Sequence, residues 1–355
     1  MMVKILSQHE STPMSPERVR YFETIRKTQV PRYLFRAFTS LSGGGQHLAI
    51  NNEHEMVPHG LMDGKKLEFY SRSEAELSVL AFSHLRSSTQ PLTLCTSWAA
   101  SMFSVLCYAT YLAQKHEAWI AVIDTHLVEE VLVFNAAQLV GVADLEYQAY
   151  GCIKGPGYKA VRLEAIRDAG LCHVFPLLSS WAPPPPSLDP QALLTEVFGF
   201  EFRDRLFHTL PRVPLMADEV EFAGLIGSLF SSLALPVGLA LLCLRPRVWA
   251  NAAYKWNSEI LTELHNALTR NVDSDVDLLL SQNTTWPQPG LIIVGGCQDI
   301  YLWITLLHKM TQHTAQHSSS KRRASKTDVP DSEMEIDGKD WATILRPRVK
   351  KPRLD

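Results

Sequence analysis

The sequence predicts an α+β protein in which a sheet-containing half precedes an all-α half and a disordered tail. Three observations support this fold class. The first half of the 355 residues alternates short apolar runs typical of strands with a helical stretch, the second half shows only helical spacing, and the end is polar and charged. A chain of this length is expected to hold about two domains.

The composition of successive segments predicts five regions. Residues 183–187 include four consecutive prolines, which favour a stiff extended spacer. The end of the chain is charged and poor in aromatic residues, which is typical of disorder. The regions are a loosely ordered segment with a short helix at Ser15–Lys27 (1–30), a sheet domain (31–180), the proline spacer (183–187), a helical domain (188–316) and a disordered basic tail (317–355).

The first predicted strand is Tyr33–Phe38, and the glycine-rich stretch Ser40–Gly45 must turn or loop because consecutive glycines disfavour regular structure. A short strand at Leu92–Ser97 is expected to lead directly into a helix over Trp98–Lys115, where apolar residues recur at helical spacing. Ser97 would then stand where serine commonly caps a helix N-terminus.

Three further strands complete the predicted sheet. Ala118–Asp124 is almost continuously apolar, as a central strand would be. Leu145–Ile153 alternates apolar and polar residues, which predicts a half-buried strand whose polar face, including Glu146, points to a cleft or to solvent. Tyr158–Leu163 follows a Gly-Pro-Gly turn and is expected to pair with it as a hairpin.

The second half is predicted to be helical. Ser187 or Asp189 can cap a helix that has Pro190 in its first turn, and apolar stripes recur over 260–268 and 300–310. Residues 222–244 lack charge over a length that could cross a bilayer. Their glycines, serines and Pro236 favour two shorter buried helices that meet near the proline, so we expect no membrane span.

Charge and cysteine usage narrow the function classes. Residues 321–355 hold ten Lys/Arg and seven Asp/Glu, which leaves 24 basic and 30 acidic side chains elsewhere, so the folded part is not expected to bind nucleic acid. The six cysteines form no CxxC pair and the histidines no HExxH motif, so no metal site is predicted. The start of the chain lacks a secretory signal, and an intracellular location, nuclear or cytoplasmic, is expected.

Taken in order, three phrases resemble the catalytic chain of cholera-type toxins and their relatives, which have the ADP-ribosyltransferase fold. In that family a first strand carries an arginine, a Ser-Thr-Ser strand leads into a helix, and a later strand carries a glutamate. Here Arg36 follows Phe35 in the first strand, Cys95-Thr96-Ser97 matches the serine motif, and Glu146 matches the glutamate. Asp144 stands where many arginine-modifying members have a second glutamate, which leaves the acceptor residue open.

Several phrases also resemble a domain of unknown function found in many fungal proteins. The resemblance spans about 31–176 and rests on LFR at 34–36, SGGG at 42–45, SW at 97–98, IAVIDT at 120–125 and EYQAYG at 146–151. It implies a family without an activity. Together the two resemblances imply a split-sheet ADP-ribosyltransferase-like domain with NAD as its substrate.

The resemblance implies a catalytic triad of Arg36, Ser97 and Glu146. A carboxylate at Glu146 would stabilise the positive charge that develops on ribose when the nicotinamide bond of NAD breaks; the alternative is a solvated strand glutamate. Arg36 would bind a phosphate bidentately; the alternatives are a structural ion pair with a carboxylate or a charge at a strand edge. Ser97 would bind the ribose or orient the glutamate, and it could equally be a helix cap.

Three more residues are candidate NAD contacts. Thr96 has the same two interpretations as its neighbour Ser97. Tyr147 could stack on nicotinamide or pack in the core. Gly44 lies in a loop whose backbone amides could approach a phosphate, although a flexible connection explains three glycines equally well.

Two functions follow as hypotheses. The first is an NAD-dependent mono-ADP-ribosyltransferase or NAD glycohydrolase, which would act on an unidentified protein acceptor or on water. The second is a non-catalytic interaction module that keeps the fold and binds a protein partner. Basic clusters at Lys321–Ser325 and Arg346–Arg353 are of the kind that nuclear-import receptors bind, although a solubilising tail would look similar.

Overall fold

The computed structural model describes residues 13–44, 49–63, 69–85, 94–128, 131–136, 139, 146–182, 198–248, 258–273 and 298–324. Within these residues the fold is α+β, as predicted: a six-stranded antiparallel sheet, a small three-stranded sheet and a helical region. The expected proline spacer at 183–187 and the helix start at Ser187, Asp189 and Pro190 lie outside the described residues.

The sheet-containing half opens with helix α1 and holds all the named strands. Its strands are β1 (Tyr33–Thr39), β2 (Ile50–Asn51), β3 (Glu55–Val57), β4 (Cys95–Ala99), β5 (Ala118–Asp124), β6 (Leu132–Asn135), β7 (Glu146–Tyr150), β8 (Ile153–Lys154) and β9 (Tyr158–Arg162). Its helices are α1 (Pro16–Gln29), α2 (Glu74–Leu85), α3 (Met102–Leu112), α4 (Leu163–Asp168) and α5 (Leu171–Val174).

The second half is helical wherever the structure describes regular elements. Its helices are α6 (Phe200–Thr209), α7 (Ala217–Ser228), α8 (Ala234–Leu242), α9 (Ser258–Thr269) and α10 (Gln298–Ala324). Short 3-10 turns occur at Ser42–Gly44, His59–Leu61, Phe69–Ser71, Pro176–Ser180 and Ser231–Leu233.

The strand order of the large sheet is β6-β7-β4-β1-β5-β9, and β2-β3-β8 form the small sheet. Strands β1 and β5 are central, and the seven residues of each pair from Tyr33 opposite Asp124 to Thr39 opposite Ala118. Their side chains are almost all buried on both faces, which matches the continuous apolar run of Ala118–Asp124.

Two local predictions in the sheet are wrong. The strand at Tyr158–Arg162 pairs with β5 and not with the predicted strand Leu145–Ile153. That segment forms β7, which pairs with β4 and β6, and β8, which pairs with β3. The helix predicted from Trp98 begins at Met102, and Ser101 caps it by accepting a hydrogen bond from the Ser104 amide. Ser97 therefore lies inside a strand and is not a helix cap.

The two predicted domains share one hydrophobic core. Trp303 of α10 packs against Phe35 of β1, with ring centroids 5.1 Å apart, and its indole N–H donates to the Pro236 carbonyl of α8. Asp299 of α10 accepts a 2.6 Å hydrogen bond from the Ser101 hydroxyl at the start of α3. The helices after residue 198 thus cover one face of the sheet and do not form a separate core.

Helices at both ends of the chain extend into segments predicted to be loosely ordered or disordered. The helix expected at Ser15–Lys27 is present as α1, and its Phe22 is buried in a second apolar cluster with Leu77 of α2 and Tyr150 of β7. Helix α10 continues to Ala324, past the start of the predicted tail at 317. Residues 325–355, including the second basic cluster, lie outside the described residues.

The uncharged stretch 222–244 forms two short helices, as predicted. They are the end of α7 and the whole of α8, and the turn between them is Ser231–Leu233, while Pro236 lies in the first turn of α8. Every residue of α8 is buried. In the part of the chain that the structure describes, no helix has the length and apolarity needed to cross a membrane.

A glycine allows α7 and α8 to approach closely. A Cβ added at Gly227 would lie 2.7 Å from the carbonyl oxygen of Ala234, a backbone atom that cannot move aside cheaply. We expect Gly227→Ala to lower the free energy of unfolding by about 1–2 kcal/mol, since overpacking outweighs the gain in helix propensity. Urea denaturation would measure this, with Glu221→Ala on the exposed side of α7 as the control. Equal stability of both variants would contradict the packing argument.

A buried ion pair fixes the outer end of the central strand pair. Arg32 precedes β1, and Asp124 ends β5. The guanidinium donates from Nη2 and Nε to the Asp124 carboxylate at 2.7 and 2.9 Å, and the side chains are 3% and 0% exposed. The carboxylate also accepts the His126 amide. A buried ion pair offsets the cost of desolvating its charges only when its geometry is good, as it is between this guanidinium and this carboxylate.

Candidate functional site

The candidate site lies where the large sheet is most weakly joined. Strands β1 and β4 are neighbours, yet they pair through one residue pair, Phe35 opposite Ala99. By contrast, β4 pairs with β7 along five consecutive residues. Arg36 lies next to this single pair on β1, and Ser97 lies two residues before it on β4. The sequence positions these residues by strand register, not by any local loop.

Ser97 and Glu146 meet across the β4–β7 pair. Ser97 lies opposite Gln148, and Glu146 is two residues from Gln148, so the period of two places Glu146 on the same face as Ser97. The Ser97 hydroxyl donates a hydrogen bond to Glu146 Oε1. Both side chains are half-buried, whereas Gln148 beside them is fully buried. Glu146 is therefore an oriented strand residue and not a freely solvated one.

The Arg36 side chain joins this cluster through the backbone carbonyl of Ser97. Its Nη1 donates a 2.8 Å hydrogen bond to the Ser97 carbonyl oxygen. Its Nε is buried and has no hydrogen-bond partner among the described residues. Burial lowers the pKa of Arg36, while Tyr108, Tyr158 and Glu146 act in the opposite direction. In the described part of the chain, Arg36 forms no ion pair with a carboxylate.

The structure adds a fourth residue that the sequence did not single out. His84, near the C-terminus of α2, places its Nε2 2.7 Å from the Ser97 hydroxyl oxygen. Helix α2 is held over the sheet by a 3.1 Å hydrogen bond from the Gln148 amide to the Ala81 carbonyl. A single helical histidine carries no local sequence signal, and only the position of α2 against β4 reveals its role.

The protonation of the site follows from burial and from Arg36. Burial raises the pKa of Glu146, while the hydrogen bond from Ser97 and the charge of Arg36 oppose that rise. Burial, helped by Arg36, lowers the pKa of His84 to about 4, so its imidazole is neutral at pH 7. The site thus combines a carboxylate that is harder to ionise than usual, a neutral imidazole and a guanidinium.

Three of the predicted NAD contacts are not brought into this cluster. Thr96 is buried on the opposite face of β4, where its hydroxyl accepts the indole N–H of Trp98 at 2.8 Å. Tyr147 is buried with the main core, as the packing interpretation predicted. Gly44 ends the turn at Ser42–Gly44, in which Gly43 has a φ of 74° that explains a glycine there without a ligand.

The arrangement can support charge and orient a hydroxyl. A carboxylate fixed by a serine can stabilise a cationic centre, and the half-buried guanidinium beside it can bind a phosphate oxygen. Within the described ranges, no group of three or more His, Cys, Asp or Glu side chains is placed to hold a metal ion.

Comparisons with known proteins do not assign a family to this chain. No family model matches the sequence. No curated protein matches it, and no solved structure matches its fold.

Proposed function

We propose that this protein cleaves NAD at the Arg36–Ser97–Glu146 site, as a mono-ADP-ribosyltransferase or an NAD glycohydrolase. The observation that carries the proposal is the hydrogen-bonded Ser97–Glu146 pair with Arg36 on the Ser97 carbonyl. These contacts join residues 49 and 61 positions apart in the sequence. The split-sheet ADP-ribosyltransferase-like fold and the NAD assignment are parts of the same proposal.

The proposed reaction needs few groups. Breaking the bond between nicotinamide and ribose develops positive charge on the ribose, and a carboxylate next to that carbon lowers the barrier. Glu146 supplies the charge, and Ser97 fixes the direction of its carboxylate. Arg36 binds a phosphate of the dinucleotide. Nicotinamide leaves with the electron pair of the broken bond, an acceptor side chain or water bonds to the same ribose carbon, and the proton of that nucleophile passes to solvent.

The test is incubation of the full chain with NAD labelled in the adenine and, separately, in the nicotinamide. Release of free nicotinamide together with free ADP-ribose would indicate a glycohydrolase. Transfer of the adenine label to protein would indicate a transferase. If calorimetry detected no NAD binding and neither product formed, the proposal would be abandoned.

The pH dependence of the reaction should report Glu146. Its carboxylate must be ionised to stabilise positive charge, and its pKa is raised by burial. Activity is therefore expected to fall as the pH drops through a value above the ordinary glutamate pKa of about 4.3. His84, with a pKa of about 4, stays neutral while Glu146 titrates at this higher pH. Initial rates between pH 4 and 8 measure this, with circular dichroism as the folding control; a rate that stays constant down to pH 4 would contradict it.

A non-catalytic interaction module is the second candidate function. It is favoured by the contacts of Ser97, whose hydroxyl and carbonyl are both bonded to side chains of the protein, His84 and Glu146 on the hydroxyl and Arg36 on the carbonyl. Such a network can fix three strands and a helix together without a ligand. A folded protein that neither binds nor cleaves NAD would favour this alternative.

A further inference from the structure

We propose that His84 is a positioning residue that sets the direction of the Ser97 hydroxyl. Through that hydroxyl it orients the Glu146 carboxyl group and favours its ionised form. Its role in catalysis rests on the proposed function, whereas the hydrogen-bond arrangement itself does not. His84 touches neither the ribose nor the phosphates in this proposal. It acts through Ser97.

The geometry places His84 firmly. Ser97 and Gln148 lie opposite each other in the β4–β7 pair, and Gln148 holds the Ala81 carbonyl one turn before His84 in α2. The same strand pair therefore positions both the hydroxyl and the histidine that contacts it. The contact between His84 Nε2 and Ser97 Oγ is 2.7 Å long, a normal hydrogen-bond distance.

The number of available hydrogens then determines the donor and acceptor in each hydrogen bond between His84, Ser97 and Glu146. A serine hydroxyl has one hydrogen and can accept from others. When Glu146 is ionised it can only accept, so Ser97 donates to Glu146 and must accept from His84, which requires the Nε2–H tautomer. When Glu146 is protonated it can donate to Ser97, whose hydrogen is then free for His84 Nε2, and the imidazole takes the Nδ1–H tautomer. The tautomer of His84 therefore follows the ionisation of Glu146.

The surrounding charges favour the first arrangement at neutral pH. Arg36 from β1 acts on both Glu146 and His84: it favours the carboxylate and disfavours an imidazolium. The titratable groups around Arg36 also include Tyr108 of α3 and Tyr158 of β9, and burial raises the pKa of both phenols, so they are neutral. Glu146 is thus the carboxylate that faces this cluster in the described residues.

The first experiment needs no activity. Ring 15N NMR of the full chain, with His84 identified by loss of its signal in His84→Gln, reports its tautomer. We expect Nε2–H at pH 7 and a change towards Nδ1–H as Glu146 is protonated. Ser97→Ala should remove that pH response, while Ser97→Thr, which keeps the hydroxyl, should preserve it. An Nδ1–H tautomer at pH 7, or a response that survives Ser97→Ala, would overturn the proposal.

The second experiment measures NAD cleavage. His84→Phe removes the donor and should move the acid limb of the rate profile to higher pH by about 0.5–1 unit, the effect of about one hydrogen bond on a carboxyl pKa. His84→Gln retains an N–H donor and should show a smaller shift. An active His84→Phe protein whose rate falls at the same acidic pH as the wild type would overturn the positioning role. A wild-type protein that shows the expected tautomer but cleaves no NAD would instead overturn the proposed function.

Discussion

Glu146→Gln is expected to lower the rate of NAD cleavage by about 10²–10³-fold, the cost of removing one preorganised electrostatic group from a transition state. The amide can still accept the hydrogen bond that Ser97 donates to Glu146, so the geometry of the strand pair should survive. It carries no negative charge, so the cationic ribose loses its stabilisation. The loss should therefore appear in turnover and much less in NAD affinity.

Two comparisons make this result decisive. Glu164→Gln changes an exposed glutamate on α4 and should leave turnover at the wild-type level. The midpoint temperature of thermal unfolding should be no lower for Glu146→Gln than for the wild type. Burial disfavours the charged form of Glu146, and glutamine has no charge to desolvate. A stable Glu146→Gln protein that retains full turnover would exclude Glu146 as the catalytic carboxylate.

Asp124→Asn is expected to have the largest effect on stability, a loss of about 3–5 kcal/mol in the free energy of unfolding. The substitution removes the negative charge that Asp124 places on the Arg32 guanidinium, which is only 3% exposed. It also weakens the acceptor of the His126 amide at the end of β5. The central strand pair β1–β5 would lose the ion pair at its outer end.

The measurement is urea denaturation followed by tryptophan fluorescence. Glu74→Gln is a matched control, because Glu74 pairs with Arg18 on the surface with both side chains 41% exposed. Such exposed pairs contribute about 0–1 kcal/mol. If the two variants lost similar stability, burial of the Arg32–Asp124 pair would not be what makes it strong.

The parts of the fold that could be predicted depend on local patterns. The continuous apolar run of Ala118–Asp124 identified a central strand, and the mixture of glycine, serine and Pro236 identified a broken helical pair. Pairing could not be predicted, because it is decided between distant residues. Tyr158–Arg162 pairs with β5, and Trp303 packs on β1, although neither fact has a local signal.

The candidate site could be predicted only in part, because sequence motifs identify residues but not the contacts between distant segments. Arg36, Ser97 and Glu146 are implied as a site by the resemblance to cholera-type toxins, and the structure places them at one junction of the sheet. The boundary of α3 was predicted four residues too early, which made a strand serine look like a helix cap, since serine suits both positions. His84 could not be identified at all, because α2 reaches Ser97 only through tertiary packing.

The contact between Trp303 and Phe35 has a consequence for synthesis of the chain. The apolar side of β1 is made early, yet the tryptophan that covers it is added 268 residues later. At translation rates of about 5–20 residues per second, that interval lasts roughly 13–54 s. During this time the nascent sheet presents an uncovered aromatic surface, which is the kind of surface that chaperones bind. Synthesis of α10, and not completion of the strands, is therefore the step after which this protein can close its core.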